Sequence, residues 1–468
     1  MPNPTRNKYR PTVWTFQHDS NFLIGQEKEK YYWTFFLHQS RQSLGQLADY
    51  QSCLTLLRGD PMIGAQIDRL VGSATGKARI DSASVLDRLV VGSMTSDAAH
   101  PIFQQALFDR EYARFEEAIH ESTVTTDIIV PLQGFKMESD FLQIEHGLKI
   151  ARLTMEEIDA CIRLGVIRAS LGPLAIPHPP QFAIKLAYQQ PKLIGDDPPN
   201  EDQLQKAREM AQENRERIAR AVNALRLWKS GDLWTTGTIE IPTSWLASFI
   251  AGSAYGTIIR PGPGNYPFTK DEVWVFQAFW KMFETAVLNR KFLDVAVKRF
   301  DYAQDRLRPQ DKIIDLMVAL EALFLSDMAD HEYRGELRFR LALRAAFFLA
   351  ESPSERKTIY NLFRDAYDIR SAIVHGGEPE LPKGFSSLDE FVNRLAESTR
   401  NALHRGILLA SSSGTAAGLL DWTELVLSTK ALQGEERPFR SYAGIGETEP
   451  TKVDNGSKRG ADKNLTEP

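Results

Sequence analysis

From Thr269 to about Ser411, apolar residues recur every third or fourth position, and the run is cut at Pro309, at Gly335, at Pro353 and between Gly376 and Ser387. That spacing is the helical period. It predicts five helices, about 270–306, 311–327, 334–350, 354–375 and 387–411, with a shorter one over 421–432. Ahead of them the pattern changes. Segments 125–132 and 140–150 alternate with β-branched residues and are split by Gln133-Gly134, so they predict two strands; 181–189 and 234–242 predict two more. Thr154 and Glu157 have capping-box spacing for a short helix ending near Gly165, and 201–229 predicts a long charged helix. Residues 60–122 predict helices broken at Gly72 and over 94–101; 27–57 reads as mostly helical, with the aromatic cluster 31–36 as core; 1–20 reads as a polar arm. Dense charge with few apolar anchors predicts a disordered tail over 434–468.

The expected fold class is α+β, a mixed N-terminal region with a small β component followed by an all-α helical bundle. The expected divisions are a mostly helical region 1–122, an α+β region 123–268 that is a candidate sensor, a helical domain 269–412, a short helix within 413–433, and the tail 434–468.

Composition narrows the function classes. A chain of 468 residues with 43% apolar and 25% charged residues is an ordinary globular protein of two to four domains. A net charge of −5 gives no global basic field, so any nucleic-acid contact needs a local patch. Cys53 and Cys161 are far apart and fit a reduced chain with no disulfide framework and no zinc site. The absence of a long apolar run or a signal-peptide core leads to the expectation of a cytoplasmic protein without membrane contact. No cofactor and no metal are expected. Gly72–Lys77 has the wrong spacing for a phosphate loop, Ser253 is in the wrong slot for a nucleophile elbow, and His120-Glu121 and His331-Glu332 lack the second histidine of a zinc helix.

Two charges interrupt apolar stripes. In 311–327 the stripe Ile314, Val318, Leu325 contains Glu321, and in 334–350 the stripe Leu337, Leu341, Phe348 contains Arg344. A charge facing a core is costly unless paired, so a Glu321–Arg344 pair is expected. It either fixes helix register or floors a site and orients Arg370 or His375.

The chemistry concentrates in 367–377. Arg370 supplies a permanent cation with a planar fork suited to phosphate, and His375 supplies a group that exchanges a proton near neutral pH. Tyr367, Ser371 and His375 are spaced by four and share a polar ridge opposite the stripe Leu362, Ala366, Ile369, Ile373. Arg370 lies about 140° around the axis from His375. One straight helix therefore points the two apart. A symmetric pair of helices, or an unwound last turn at Gly376, would bring them together. Arg334, Arg338, Arg340, Arg356, Lys357 and Arg364, along with Lys298, Arg299, Arg306 and Arg308 upstream, add local positive charge; with Glu332, Glu336, Glu351 and Glu355 interleaved, solvated helix faces are the other reading.

With four ordered blocks the chain resembles a known family: Leu293–Phe300, Asp311–Leu323, Glu336–Ala346 and the Arg370–His375 motif with its flanks are similar to the HEPN superfamily, in its Apea-like branch, over roughly 275–412. The resemblance implies an all-α, usually dimeric domain that cuts RNA without metal, in defence, toxin or CRISPR-associated settings. It makes Arg370 and His375 the expected catalytic residues. Ser371, Tyr367, Glu321 and Arg344 are the expected supporting residues, and Arg338, Arg340 and Arg364 the expected RNA contacts. The implied partners are RNA, including tRNA, and a second copy of the chain. The N-terminal region would sense a phage or host trigger. Ser371 stands where relatives more often carry Asn, Asp or His. Some relatives only bind, so the alternative is an inactive module that holds RNA, nucleotide or a partner protein.

Overall fold

The computed structural model describes residues 8–9, 12–17, 22–27, 30–31, 33–73, 76–95, 102–168, 175–195, 201–245, 252–256, 263–328, 336–412 and 422–427. The predicted tail 434–468, Arg334 and the break at Gly335 lie outside them. At the N-terminus β1 (Lys8–Tyr9) pairs with β4 (Lys30–Tyr31), and β2 (Thr12–Gln17) forms a hairpin with β3 (Phe22–Glu27). Next come α1 (Trp33–Leu44), α2 (Ala48–Gly59), the single turn α3 (Pro61–Gly64), the hairpin β5 (Arg69–Ser73) and β6 (Gly76–Ile80), α4 (Ser82–Gly92) and α5 (Gln105–His120). This region is less helical than its sequence predicts. Segment 12–17 is a strand rather than part of an arm, and the expected break at Gly72 is a β-hairpin between α3 and α4.

The middle region contains β7 (Thr123–Gln133), β8 (Phe135–Met137), β9 (Phe141–Glu145), β10 (Leu148–Arg152), α6 (Met155–Arg163), β11 (Ala175–Pro177), β12 (Phe182–Pro191), β13 (Leu193–Gly195), α7 (Glu201–Trp228), β14 (Trp234–Thr235), β15 (Thr238–Pro242), β16 (Ser253–Tyr255) and β17 (Tyr266–Phe268). A seven-stranded sheet runs β16-β15-β7-β12-β10-β9, with β14 also on β7. The single strand expected over 140–150 is a hairpin, β9–β10, because Gly147 adopts φ +78 and turns the chain. Thr154 and Glu157 form the expected capping box of α6.

Period-2 alternation gives β7 two faces. Ile128, Val130 and Leu132 join a large core that continues through α7 into the helical region, while Ile129 packs on the other face with Trp14, Leu23, Ile158 and Cys161. A third cluster, including Phe115 and Trp245, serves the N-terminal helices.

The C-terminal region is helical: α8 (Glu272–Asn289), α9 (Lys291–Asp305), α10 (Pro309–Phe324), α11 (Leu337–Leu349), α12 (Pro353–Val374), α13 (Leu388–Ser412) and α14 (Trp422–Leu427). The single helix expected over 270–306 is two, because Arg290 leaves helical geometry at φ −137, ψ 103 and donates to the Ala410 carbonyl. The end of α7 is locked into this bundle. Its Leu225, Arg226 and Leu227 carbonyls accept from Tyr266, Arg400 and His404, while buried Arg226 sits between Asp301 at 2.7 Å and Asp305 at 2.6 Å. Burial pushes the His404 imidazole down to about 4, so it is neutral at pH 7. Among the described residues no helix is long and apolar enough to cross a membrane.

Candidate functional site

α12 starts because the Ser352 hydroxyl accepts the Glu355 N–H while the Glu355 carboxylate accepts the Ser352 N–H, with Pro353 at the first helical position. Such a cap contributes about 1 kcal/mol. The helix then buries Leu362, Phe363, Ala366 and Ile369. It ends in a Schellman motif. Gly376 N–H donates to Ile373 O at 3.0 Å and Gly377 N–H to Ala372 O at 2.8 Å, with Gly376 at φ +77. A Cβ on Gly376 would meet nothing within 4 Å, so backbone conformation alone selects glycine there. The motif makes His375 the C-cap residue, exposed to solvent. Because α12 stays regular to Val374, the last turn is not unwound, and Arg370 and His375 of one chain project in different directions.

Arg370 is half-buried. Its Nη2 lies 3.7 Å from Glu321 Oε2 on α10, and its guanidinium is 5.9 Å from the Tyr367 ring centre. Its Nε is buried and makes no hydrogen bond. A charge-assisted hydrogen bond spans roughly 2.7–2.9 Å, so Glu321 holds this fork loosely. Burial raises the Glu321 carboxyl above its ordinary value, outweighing the opposing pull of Arg370. A guanidinium has five donors, and here most remain for another oxyanion.

The expected Glu321–Arg344 pair does not form. α10 ends at Phe324, and a 3₁₀ turn, Ser326–Met328, brings Asp327 to Arg344 instead, at 2.7 and 2.9 Å. Arg344 also donates to the Phe324 carbonyl and lies 5.3 Å from the ring centre of buried Trp422. It pins α14 and the end of α10, away from Arg370's partner. The stripe read on α10 is not the deepest face either. Ile314, Val318, Glu321 and Leu325 are half-buried, while Ile313, Leu316, Met317, Leu320 and Leu323 form the core. A half-buried apolar face thus flanks Glu321.

Tyr367 and Ser371 are half-buried on the ridge leading to His375; the His375 backbone N–H donates to the Ser371 carbonyl at 3.1 Å, but among the described residues no hydrogen bond joins the three side chains. The nearby arginines are largely neutralised. Arg338 meets Asp368 at 2.6 Å, Arg364 meets Asp365 at 2.7 Å, and Arg340 approaches the Met328 sulfur at 4.0 Å. Sequence reasoning missed Asp327, which it placed in the last turn of the helix expected over 311–327 and which lies beyond the end of α10. It also missed Val374, which is 56% exposed beside His375. Among the described residues no group of three His, Cys, Asp or Glu side chains is placed to hold a metal ion. No known protein family, curated protein or solved structure matches the chain.

Proposed function

We propose that the chain is a metal-independent endoribonuclease of HEPN type, with Arg370 and His375 acting on one phosphodiester. The observation that carries this is the pairing of a loosely held, half-buried guanidinium with an imidazole exposed by a glycine-dependent cap on the same helix. The divergence of the two side chains within one helix supports a site shared between two copies, each giving its Arg370 to the other's His375. The half-buried stripe Ile314, Val318, Leu325 and exposed Val374 supply an apolar surface beside Arg370 and His375 for that contact.

In this mechanism His375 takes the proton of the ribose 2′-OH as the 2′-oxygen attacks phosphorus, or delivers a proton to the departing 5′-oxygen. The 2′-O–P bond forms and the P–O5′ bond breaks. Arg370 stabilises the charge growing on the phosphorane oxygens. Tyr367 and Ser371 hydrogen-bond phosphate or orient the imidazole. The products are a 2′,3′-cyclic phosphate and a 5′-OH, and DNA is not cut because it lacks the attacking hydroxyl. A defence or toxin-like role rests on the family resemblance alone.

The test is incubation of end-labelled tRNA with the protein in EDTA. Cleavage leaving a cyclic phosphate is expected. Cleavage that stops in EDTA and returns with Mg²⁺ would sink the mechanism. The second reading is a module that binds RNA, nucleotide or a partner protein without cutting. It is favoured by the Glu321 carboxylate already standing at the guanidinium. RNA binding with no cleavage under any condition selects it.

A further inference from the structure

Two arginines of α11 and α12, Arg338 and Arg364, are paired with neighbouring aspartates, and another helix of the same bundle shows an exposed face on which cations outnumber carboxylates. On α9, at about 100° per residue, Lys291, Val295, Lys298 and Tyr302 fall within about 60° of one another, with Arg299 just beyond. All but half-buried Arg299 are exposed, Tyr302 by 47%. The chain leaves the helix through Arg306, Leu307 and Arg308, all exposed, Leu307 by 68%. The carboxylates near this face are Asp294, Asp315 and exposed Asp311, whose charge acts on Arg306. Asp294 meets Lys298 at 2.7 Å. Asp315, a buried carboxylate, is shared by two cations, Arg299 at 3.1 Å and Arg306 at 2.7 Å. Asp301 and Asp305 turn away to the buried Arg226. One carboxylate between two guanidinium groups leaves positive charge over, in a chain whose net charge is −5.

The aromatic ring is placed among these cations. The Arg299 guanidinium is 5.8 Å from the Tyr302 ring centre, one turn along the helix. A flat exposed ring flanked by cations is the surface that single-stranded nucleic acid uses: bases stack on the ring and phosphates meet the cations. The ridge also has a concave start. Lys291 and Lys298 line a cleft of about 450 Å³ between α7, the end of α8 and the start of α9, together with Arg220, which is paired with Glu284 at 3.3 Å, and with the carboxylates of Glu216 and Asp294. Its far end is tied to the candidate site. Arg308 immediately precedes α10, and Glu321 lies 13 residues further along that helix, about 20 Å at 1.5 Å per residue.

We infer that the α9 ridge, from Lys291 through Tyr302 to Arg308, is a docking surface for single-stranded RNA that presents a flanking segment of the strand to α12. The inference rests on the ribonuclease reading for the identity of the strand, and on the ridge alone for the surface. Arg299 and Arg306 have a structural duty to Asp315, so they are left in place in the test. Lys298, Tyr302 and Arg308 contact no buried carboxylate.

The experiment uses full-length protein carrying His375→Ala, so that the strand stays intact, and a fluorescein-labelled single-stranded RNA read by anisotropy across a salt series. Lys298→Ala/Tyr302→Ala/Arg308→Ala is compared with Lys136→Ala/Lys149→Ala, two exposed lysines elsewhere, and thermal midpoints check that both are folded. The ridge variant is expected to bind at least about tenfold more weakly, with the slope of log affinity against log salt reduced by about 1.4 for the two lost cations. The control is expected to bind as the parent. Equal binding by ridge variant and parent overturns the inference, as does a parent that binds no RNA. The cleavage arms use the protein with His375 intact: ridge-dependent binding without cleavage there keeps the ridge and removes the ribonuclease reading. Cleavage with unchanged KM after loss of the ridge does the reverse.

Discussion

Replacing Gly376 with alanine perturbs the candidate site without touching any side chain in it. At φ +77 an L-residue crowds its own backbone, while a Cβ there would meet nothing within 4 Å. The cost is therefore conformational alone. Left-handed helical geometry costs an L-residue about 1–2 kcal/mol, offset in part by the stiffer unfolded chain, leaving about 1 kcal/mol. Asparagine tolerates this conformation better, so Gly376→Asn should cost less. Gly377 is the control: its added Cβ would sit 3.4 Å from the Ala372 carbonyl oxygen, in ordinary contact and outside the left-handed region. The assay is amide hydrogen exchange of the peptide spanning 371–380. About 1 kcal/mol corresponds to roughly fivefold faster exchange for Gly376→Ala. Because the same cap aims His375, kcat for RNA should fall in the same order while KM changes little. Exchange and kcat equal across Gly376→Ala, Gly376→Asn and Gly377→Ala would refute the idea that this cap fixes the end of α12.

Three further outcomes follow from the charges. His404 is held neutral at about 4 against an ordinary 6.5, so the unfolded chain binds a proton that the folded chain refuses. Its contribution to stability is full above pH 6.5 and is lost as pH falls toward 4, about 3–4 kcal/mol at roughly 1.4 kcal/mol per pH unit. His404→Gln should flatten that stretch of a urea-midpoint-versus-pH curve, and an unchanged slope counts against it. Arg344→Ala removes the Asp327 pair, the Phe324 carbonyl contact and the stacking on Trp422 together, so a loss of about 2–3 kcal/mol is expected by denaturant unfolding, against less than about 0.5 kcal/mol for Arg338→Ala at its exposed pair. Glu321→Gln frees the Arg370 fork but removes what sets its direction. A lower KM for RNA with a lower kcat is expected, and a raised KM contradicts the placement of Glu321.

Legibility in the sequence followed the range of the forces involved. Local signals survived: the Thr154 capping box, the Gly376-Gly377 stop and the long α7 are written in adjacent residues, whereas the Ser352 capping box, equally local, was not read. The strands β2, β5 and β6 were not legible, because their stabilising partners lie across a turn and their apolar alternation is short. Glu321 was correctly seen as a charge within an apolar stripe, but its partner depended on tertiary placement. Arg344 was taken by Asp327 in a 3₁₀ turn that no periodicity announces, leaving Glu321 to Arg370. The basic face of α9 was visible as scattered lysines and arginines. Its excess became apparent only once Asp301 and Asp305 were seen turned inward toward Arg226.

The most direct measurement is RNA cleavage in EDTA by Arg370→Ala, by His375→Ala, and by the two variants mixed after dissociation and reassociation. If the guanidinium of one copy serves the imidazole of the other, each variant alone is inactive. The mixture regains about a quarter of wild-type activity, since half of the randomly formed dimers carry one intact site of two. Wild-type cleavage by either single variant would contradict the account.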